Sequence, residues 1–80
     1  MIIKPLTTES AATDAAITAS RVVRLVNTHA SEACVITIAN TAAASMTLLA
    51  QSSEVVEKDI GAAITVSGGT VVATPVAFTN

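Results

Sequence analysis

Short runs of β-branched residues, many alternating with polar positions, recur along most of this 80-residue chain. The clearest is Arg21-Val22-Val23-Arg24-Leu25-Val26-Asn27, with Ile17 as its earliest start. In the run 34–39, side chains alternate between two faces of a strand, so Cys34, Ile36 and Ile38 share one face and Val35 and Thr37 the other. Residues 45–49 set Met46 and Leu48 against Thr47, and Glu54-Val55-Val56-Glu57-Lys58 follows after the turn Gln51-Ser52-Ser53. Asp59-Ile60-Gly61 reads as a turn, with Asp giving a local hydrogen bond and Gly a positive φ. Residues 63–66 are a shorter, weaker element. Ser67-Gly68-Gly69 is the strongest turn signal and predicts a two-residue hairpin turn through the glycine pair. Residues 2–6 open the chain with a strand that Pro5 marks as an edge or an end, and Pro75 interrupts the last run, 70–79, so that it bends or follows a sheet edge.

About seven short strands separated by turns every 8–12 residues predict an all-β fold, a small antiparallel β-sandwich or flattened barrel. The alternation assigns Val23, Leu25, Ile36, Ile38, Met46, Leu48, Val55, Val66 and Phe78 to its core. The choice of Val23 over Val22 depends on register, because a slip of one residue exchanges the faces. Residues 8–16 fit no single element. Their alanines allow a short helix capped by Thr8 or Ser10, but nearly all-Ala faces give no broad apolar stripe, and a loop or edge segment fits equally. No Gly/Ser- or Pro-rich linker divides the chain, so residues 1–80 form one domain.

Composition narrows the function. Charged residues make up 12% of the chain and the only aromatic is Phe78, so the side chains that usually build active sites and compact binding sites are few and scattered. Lys4, Arg21, Arg24 and Lys58 are too few and too dispersed to track a phosphate backbone, and one aromatic gives no base-stacking platform, which argues against nucleic acid. No apolar run reaches the roughly 18–20 residues that span a bilayer. Met1-Ile2-Ile3-Lys4-Pro5-Leu6 lacks the basic start and apolar core of a signal peptide, so a soluble protein is expected, and the lack of a disulfide framework points to folding in the reducing cytosol. Cys34 is the only cysteine and lies in an apolar run, which predicts a buried, inert thiol and neither a disulfide nor a structural zinc site.

Candidate chemistry is thin. His29 is the one side chain with an acid–base role near neutrality, and Ser31-His29-Glu32 makes a triad only on paper, since adjacent loop residues seldom reach the required geometry. Glu9, Asp14, Glu32, Glu54, Glu57 and Asp59 form neither a calcium loop nor a carboxylate pair. Ser67-Gly68-Gly69-Thr70 lacks the lysine, spacing and helix of a phosphate loop. No catalytic residue, cofactor or metal is expected.

The remaining signals point to assembly. Small Ala and Thr side chains add little apolar area in so short a chain, and oligomerisation is a standard remedy. Arg24 lies in an otherwise apolar strand, and a charge there needs water or a partner, with Glu54, Glu57 or a neighbouring subunit's charge as candidates. Glu57 and Lys58 are adjacent in their strand and point to opposite faces. The terminal segments, 1–6 and 76–80, are candidate strand edges for pairing between chains, with Ile2, Ile3, Val76 and Phe78 as contact residues.

Four segments together resemble the small accessory structural proteins of tailed bacteriophages, notably those that infect marine cyanobacteria. They are Ile2-Ile3-Lys4-Pro5-Leu6, the strand 21–27, Glu54-Val55-Val56-Glu57-Lys58 leading into Asp59-Ile60-Gly61, and Ala73-Thr74-Pro75-Val76-Ala77-Phe78-Thr79-Asn80. The likeness spans nearly the whole chain as a texture and carries no catalytic motif. It implies a β-rich virion subunit in many copies, a homo-oligomer partnered by the major capsid or other virion proteins. Capsid decoration or cementing is slightly favoured over a neck, tail or fibre position. An adhesive or carbohydrate-binding β module is the alternative, weakened by the lack of aromatics for stacking.

Overall fold

The computed structural model describes residues 2–40 and 42–79. Met1 and Asn80, the outermost residues of the two terminal segments, lie outside the described residues. The described elements are β1 (Ile2–Pro5), β2 (Ser10–Ala11), α1 (Ala15–Thr18), β3 (Val22–Asn27), β4 (Cys34–Ile38), β5 (Ala44–Leu48), β6 (Ser53–Glu57), β7 (Ile64–Ser67) and β8 (Val71–Thr79). They form an all-β, antiparallel two-sheet sandwich. The larger sheet runs β1-β8-β3-β6 with β2 also on β8, and the smaller runs β5-β4-β7. The chain changes sheet at β3→β4, β5→β6, β6→β7 and β7→β8, so only β4 and β5 are both consecutive and paired after β3.

The alternation read from the sequence determines which side of each strand is buried. Val23, Leu25 and Asn27 of β3 are buried, whereas Val22, Arg24 and Val26 are half-exposed. Cys34, Ile36 and Ile38 of β4 face the same interior. Leu48, Ile64 and Ala73 complete the core, with Ala12, Ile17 and Ala62 also buried in it. Met46 and Val66 pack partly against this cluster. Two expected core residues do not belong to it. In β6 the inward position is taken by Val56, paired with Val23, while Val55 pairs with Arg24 on the outer side. Two adjacent valines in a short strand give no alternation from which that phase could be read. Phe78 is 46% exposed, for a reason that lies in the length of β8.

β8 is an interior strand, not an edge. Residues 71–75 pair with β3, while on the other side residues 72–73 pair with β2 and 76–79 with β1. Pro75 is tolerated because it falls between β1 and β2. Its carbonyl accepts from Leu6 N (2.8 Å), and its missing N–H would lie on that same edge, next to the point where β1 ends. Residues 8–16 hold a two-residue edge strand, and no helix starts at the expected caps Thr8 or Ser10; the helical turn begins only at Ala15 and runs on to Thr18. The cap is Asp14, whose side chain accepts from Ala16 N (2.9 Å), and the turn delivers Ile17 to the core.

The glycine turn differs from its expected form. Gly68 and Gly69 both have positive φ (82° and 61°), as the sequence suggests, yet β7 and β8 belong to different sheets, so the turn is a crossing and not a hairpin. A Cβ on Gly69 would lie 2.9 Å from the Asn27 amide and 3.0 Å from Cys34 Cβ. Close approach to β3 and β4 therefore requires glycine as much as the backbone angle does. Asp59-Ile60-Gly61 is a turn as expected, closed by Ala62 N donating to Asp59 O (3.0 Å), with Gly61 at φ 87°.

Candidate functional site

The outer faces of the two sheets differ in chemistry. On the smaller sheet, register places Val35 between Thr47 and Ser67, and Thr37 between Ser45 and Thr65. Five of these six side chains carry a hydroxyl, the ordinary pattern for a sheet with one face in water. On the larger sheet, Arg24 lies between Val55 and Thr74, Val26 between Ser53 and Val72, and Val22 opposite Glu57. Four valines, two charges and the two hydroxyl residues Ser53 and Thr74 thus occupy a face that, in an antiparallel sheet open to solvent, is usually more polar.

Arg24 and Glu57 share this face but do not meet. Arg24 is directly opposite Val55, and Glu57 lies on the diagonal, two residues further along β6. Neither makes an ion pair or side-chain hydrogen bond among the described residues. Glu54 is exposed and paired with Leu25, on the opposite side of β6 from Arg24. Among the described residues, then, Arg24 forms no contact with either carboxylate, which leaves the charge of a neighbouring subunit as the other expected partner.

The terminal segments pair with each other. β1 and the end of β8 form a two-stranded ribbon, with Ile2 opposite Thr79, Ile3 opposite Phe78 and Pro5 opposite Val76. β3 pairs with β8 only as far as Pro75, so the ribbon runs past it, and residues 76–79 have no second partner strand among the described residues. Ile3 is 40% and Phe78 46% exposed, side by side on this ribbon. Val76 is only 4% exposed and is internal to the chain, which removes it from the expected contact residues. Of Ile2 only the backbone pairing is described.

The polar residues with chemical potential are engaged in holding loops. Asn27, fully buried, donates from Nδ2 to Glu32 O (2.9 Å) and Leu48 O (3.2 Å), and its Oδ1 accepts from His29 N (3.1 Å) and Thr70 N (3.2 Å). His29 Nδ1 accepts from the backbone N–H groups of Ser31 (3.1 Å) and Glu32 (2.9 Å), so Ser31 meets the imidazole through its backbone and not its hydroxyl. Glu32 Oε1 accepts from Gly69 N (2.7 Å). The paper triad is thus a set of turn contacts. Cys34 is buried as expected, and burial pushes its thiol up, opposed by its contact with Leu48 O (3.6 Å).

Sequence reasoning missed the role of Lys58. It follows β6 and is 3% exposed, with Nζ donating to Thr18 O (2.8 Å) and Asp59 O (3.3 Å). Burial pulls its ammonium down from the ordinary lysine value, partly offset by the Asp59 charge. The readable signal was the Glu57-Lys58 pair, whose opposed directions allow only one of them to face water easily. Among the described residues no pocket and no cluster of metal-ligating side chains is formed, and no helix is long and apolar enough to cross a membrane.

Compared with protein-family models, curated proteins and solved structures, the chain matches none. The fold and its surfaces define a small antiparallel β-sandwich with a valine-rich outer face on the larger sheet and a terminal ribbon bearing the exposed Ile3 and Phe78.

Proposed function

We propose that this chain is a structural subunit of a tailed-phage virion, present in many copies, which acts by packing against other subunits and catalyses no reaction. Capsid decoration or cementing is the preferred station, ahead of neck, tail or fibre. The reading draws its class from the phage-like segments of the sequence. The single observation that carries it is the ribbon: Ile3 and Phe78 sit opposite each other, both substantially exposed, on strands that outrun β3. An isolated two-stranded ribbon is marginal in water, and an unpaired strand edge is a template for another chain. An exposed aromatic beside it is the type of side chain that fills a partner's pocket at an interface. Neighbouring virion proteins or further copies of the chain would supply that strand or pocket.

The test is incorporation. Ile3→Ser with Phe78→Ser alters partly exposed side chains and leaves the two sheets' core intact, so the purified variant should still fold and melt cooperatively, at a lower Tm for the lost contact between the two. The same variant should load into particles at a much reduced copy number. A variant that folds normally and loads at the wild-type copy number would refute the ribbon as the contact surface.

A further inference from the structure

We infer that the outer face of the larger sheet is a self-association surface, on which a second copy of this chain packs face to face about a two-fold axis. The inference rests on the assembled-subunit reading and assigns a surface and an occupant separate from the terminal ribbon. Its first support is the contrast between the sheets. The smaller sheet presents five hydroxyls and one valine to the outside, whereas the larger presents four half-exposed valines, Val22, Val26, Val55 and Val72, around Arg24, with Ser53 and the buried Thr74 as its hydroxyls. The same chain can evidently make a water-facing sheet, so the valine face is a departure that a covering surface would account for.

The second support identifies the occupant. Arg24 and Glu57 lie on this one face, are separated along the diagonal, and have no charge partner among the described residues. In an isologous two-fold contact, the residue pair i–j on one side becomes j–i on the other. Turning one copy onto its twin therefore gives two reciprocal Arg24–Glu57 pairs, with the valines between them excluded from water. An unrelated partner would need its own oppositely arranged charges, but a second copy carries them already.

The geometry also sets the strength. Three strands about 4.8 Å apart and five residues long at about 3.4 Å each give a flat footprint of roughly 14 by 17 Å. That is well below the roughly 800 Å² per partner of a standard stable interface, so the free dimer is weak and becomes populated as concentration rises.

Sedimentation equilibrium of the purified chain, carried up to about 1 mM, where association worth about 4 kcal/mol becomes visible, tests this directly. Wild type should show a reversible monomer–dimer equilibrium. Arg24→Glu and Glu57→Arg should each weaken it at least about tenfold, since each places like charges together. The double exchange, Arg24→Glu with Glu57→Arg, should recover most of the loss. Val55→Thr, which keeps β-branched shape and folding while adding a hydroxyl to the face, should weaken the dimer without charge change. A wild-type chain that stays monomeric throughout overturns the inference. So do single charge variants that dimerise normally, or a folded double exchange that remains as weak as the singles. Loss of dimer with particle loading intact removes this contact alone, whereas absence from particles removes the subunit reading.

Discussion

Removing the Asn27 side chain should cost a large part of the fold's stability. Its amide has two donors and two acceptor sites, and all four are used, reaching the 28–33 link, β5 and the residue that follows the Gly68-Gly69 crossing. Asn27→Ala takes a partner from two carbonyls and two N–H groups, of which Leu48 O keeps only its weak contact with Cys34 Sγ. An unsatisfied buried group costs about 1–3 kcal/mol. Only the Leu48 contact is fully buried, and the other three partners are near enough to the surface to recover part of their loss from water. A net loss of about 3–5 kcal/mol follows. For a domain of this length, total stability is on the order of 4–12 kcal/mol at 0.05–0.15 kcal/mol per residue, so the variant loses a quarter of it at the least. At about 4–8 °C per kcal/mol, Tm falls by 12 °C or more. With no Trp or Tyr in the chain, urea unfolding followed by far-UV circular dichroism is the suitable assay. A loss below about 1 kcal/mol would refute the claim that this one amide ties the sheet crossings together.

Other outcomes follow from the same structure. Gly69→Ala should destabilise more than Gly61→Ala in thermal melts. Both residues have positive φ, costing a Cβ about 1–2 kcal/mol, but only at Gly69 would that Cβ also collide with Asn27 and Cys34. Cys34 should resist thiol reagents in the native state, because it is buried and its thiolate is disfavoured, and its labelling rate in urea should track unfolding. Fast labelling of the folded chain would contradict that placement. Lys58 gives a pH signature of definite sign. Its folded value is depressed, so the unfolded chain binds more protons in the window between that value and the ordinary 10.5, and this group's contribution makes stability rise with pH there. The wild-type curve minus that of Lys58→Met should show this rise, and a difference that falls with pH would contradict the burial of the ammonium.

Much of this was legible where apolar and polar residues alternate. β3 and β4 carry enough large β-branched and aliphatic residues to fix both strand and face, and Cys34, Ile36, Leu25 and Val23 lie where the pattern puts them. Legibility fails where side chains are small or pattern is missing. Ala11 to Ala16 suit strand, turn and helix alike, and only the Asp14 cap and the apolar Ile17 select the helical turn. The Gly68-Gly69 angles are local and could be read, but the sheet that each flanking strand joins is a non-local matter settled by β4 and β3. The alternation put Phe78 in the core, with a contact between chains as its other expected placement, and it sits past the end of β3, 46% exposed. Of the assembly candidates, Ile3, Glu54, Glu57 and Phe78 are exposed and Arg24 half-exposed, whereas Val76 is internal.

The central claim is that this chain is a many-copy part of a virion, and its copy number in purified particles tests that most directly. Tailed-phage particles from a culture expressing the gene would be banded on a density gradient, and the chain quantified against the major capsid protein by mass spectrometry with labelled standards. The account predicts a fixed ratio, reproducible between preparations and retained through washing, that corresponds to many copies per particle. A chain abundant in the lysate but absent from the banded particles would contradict it.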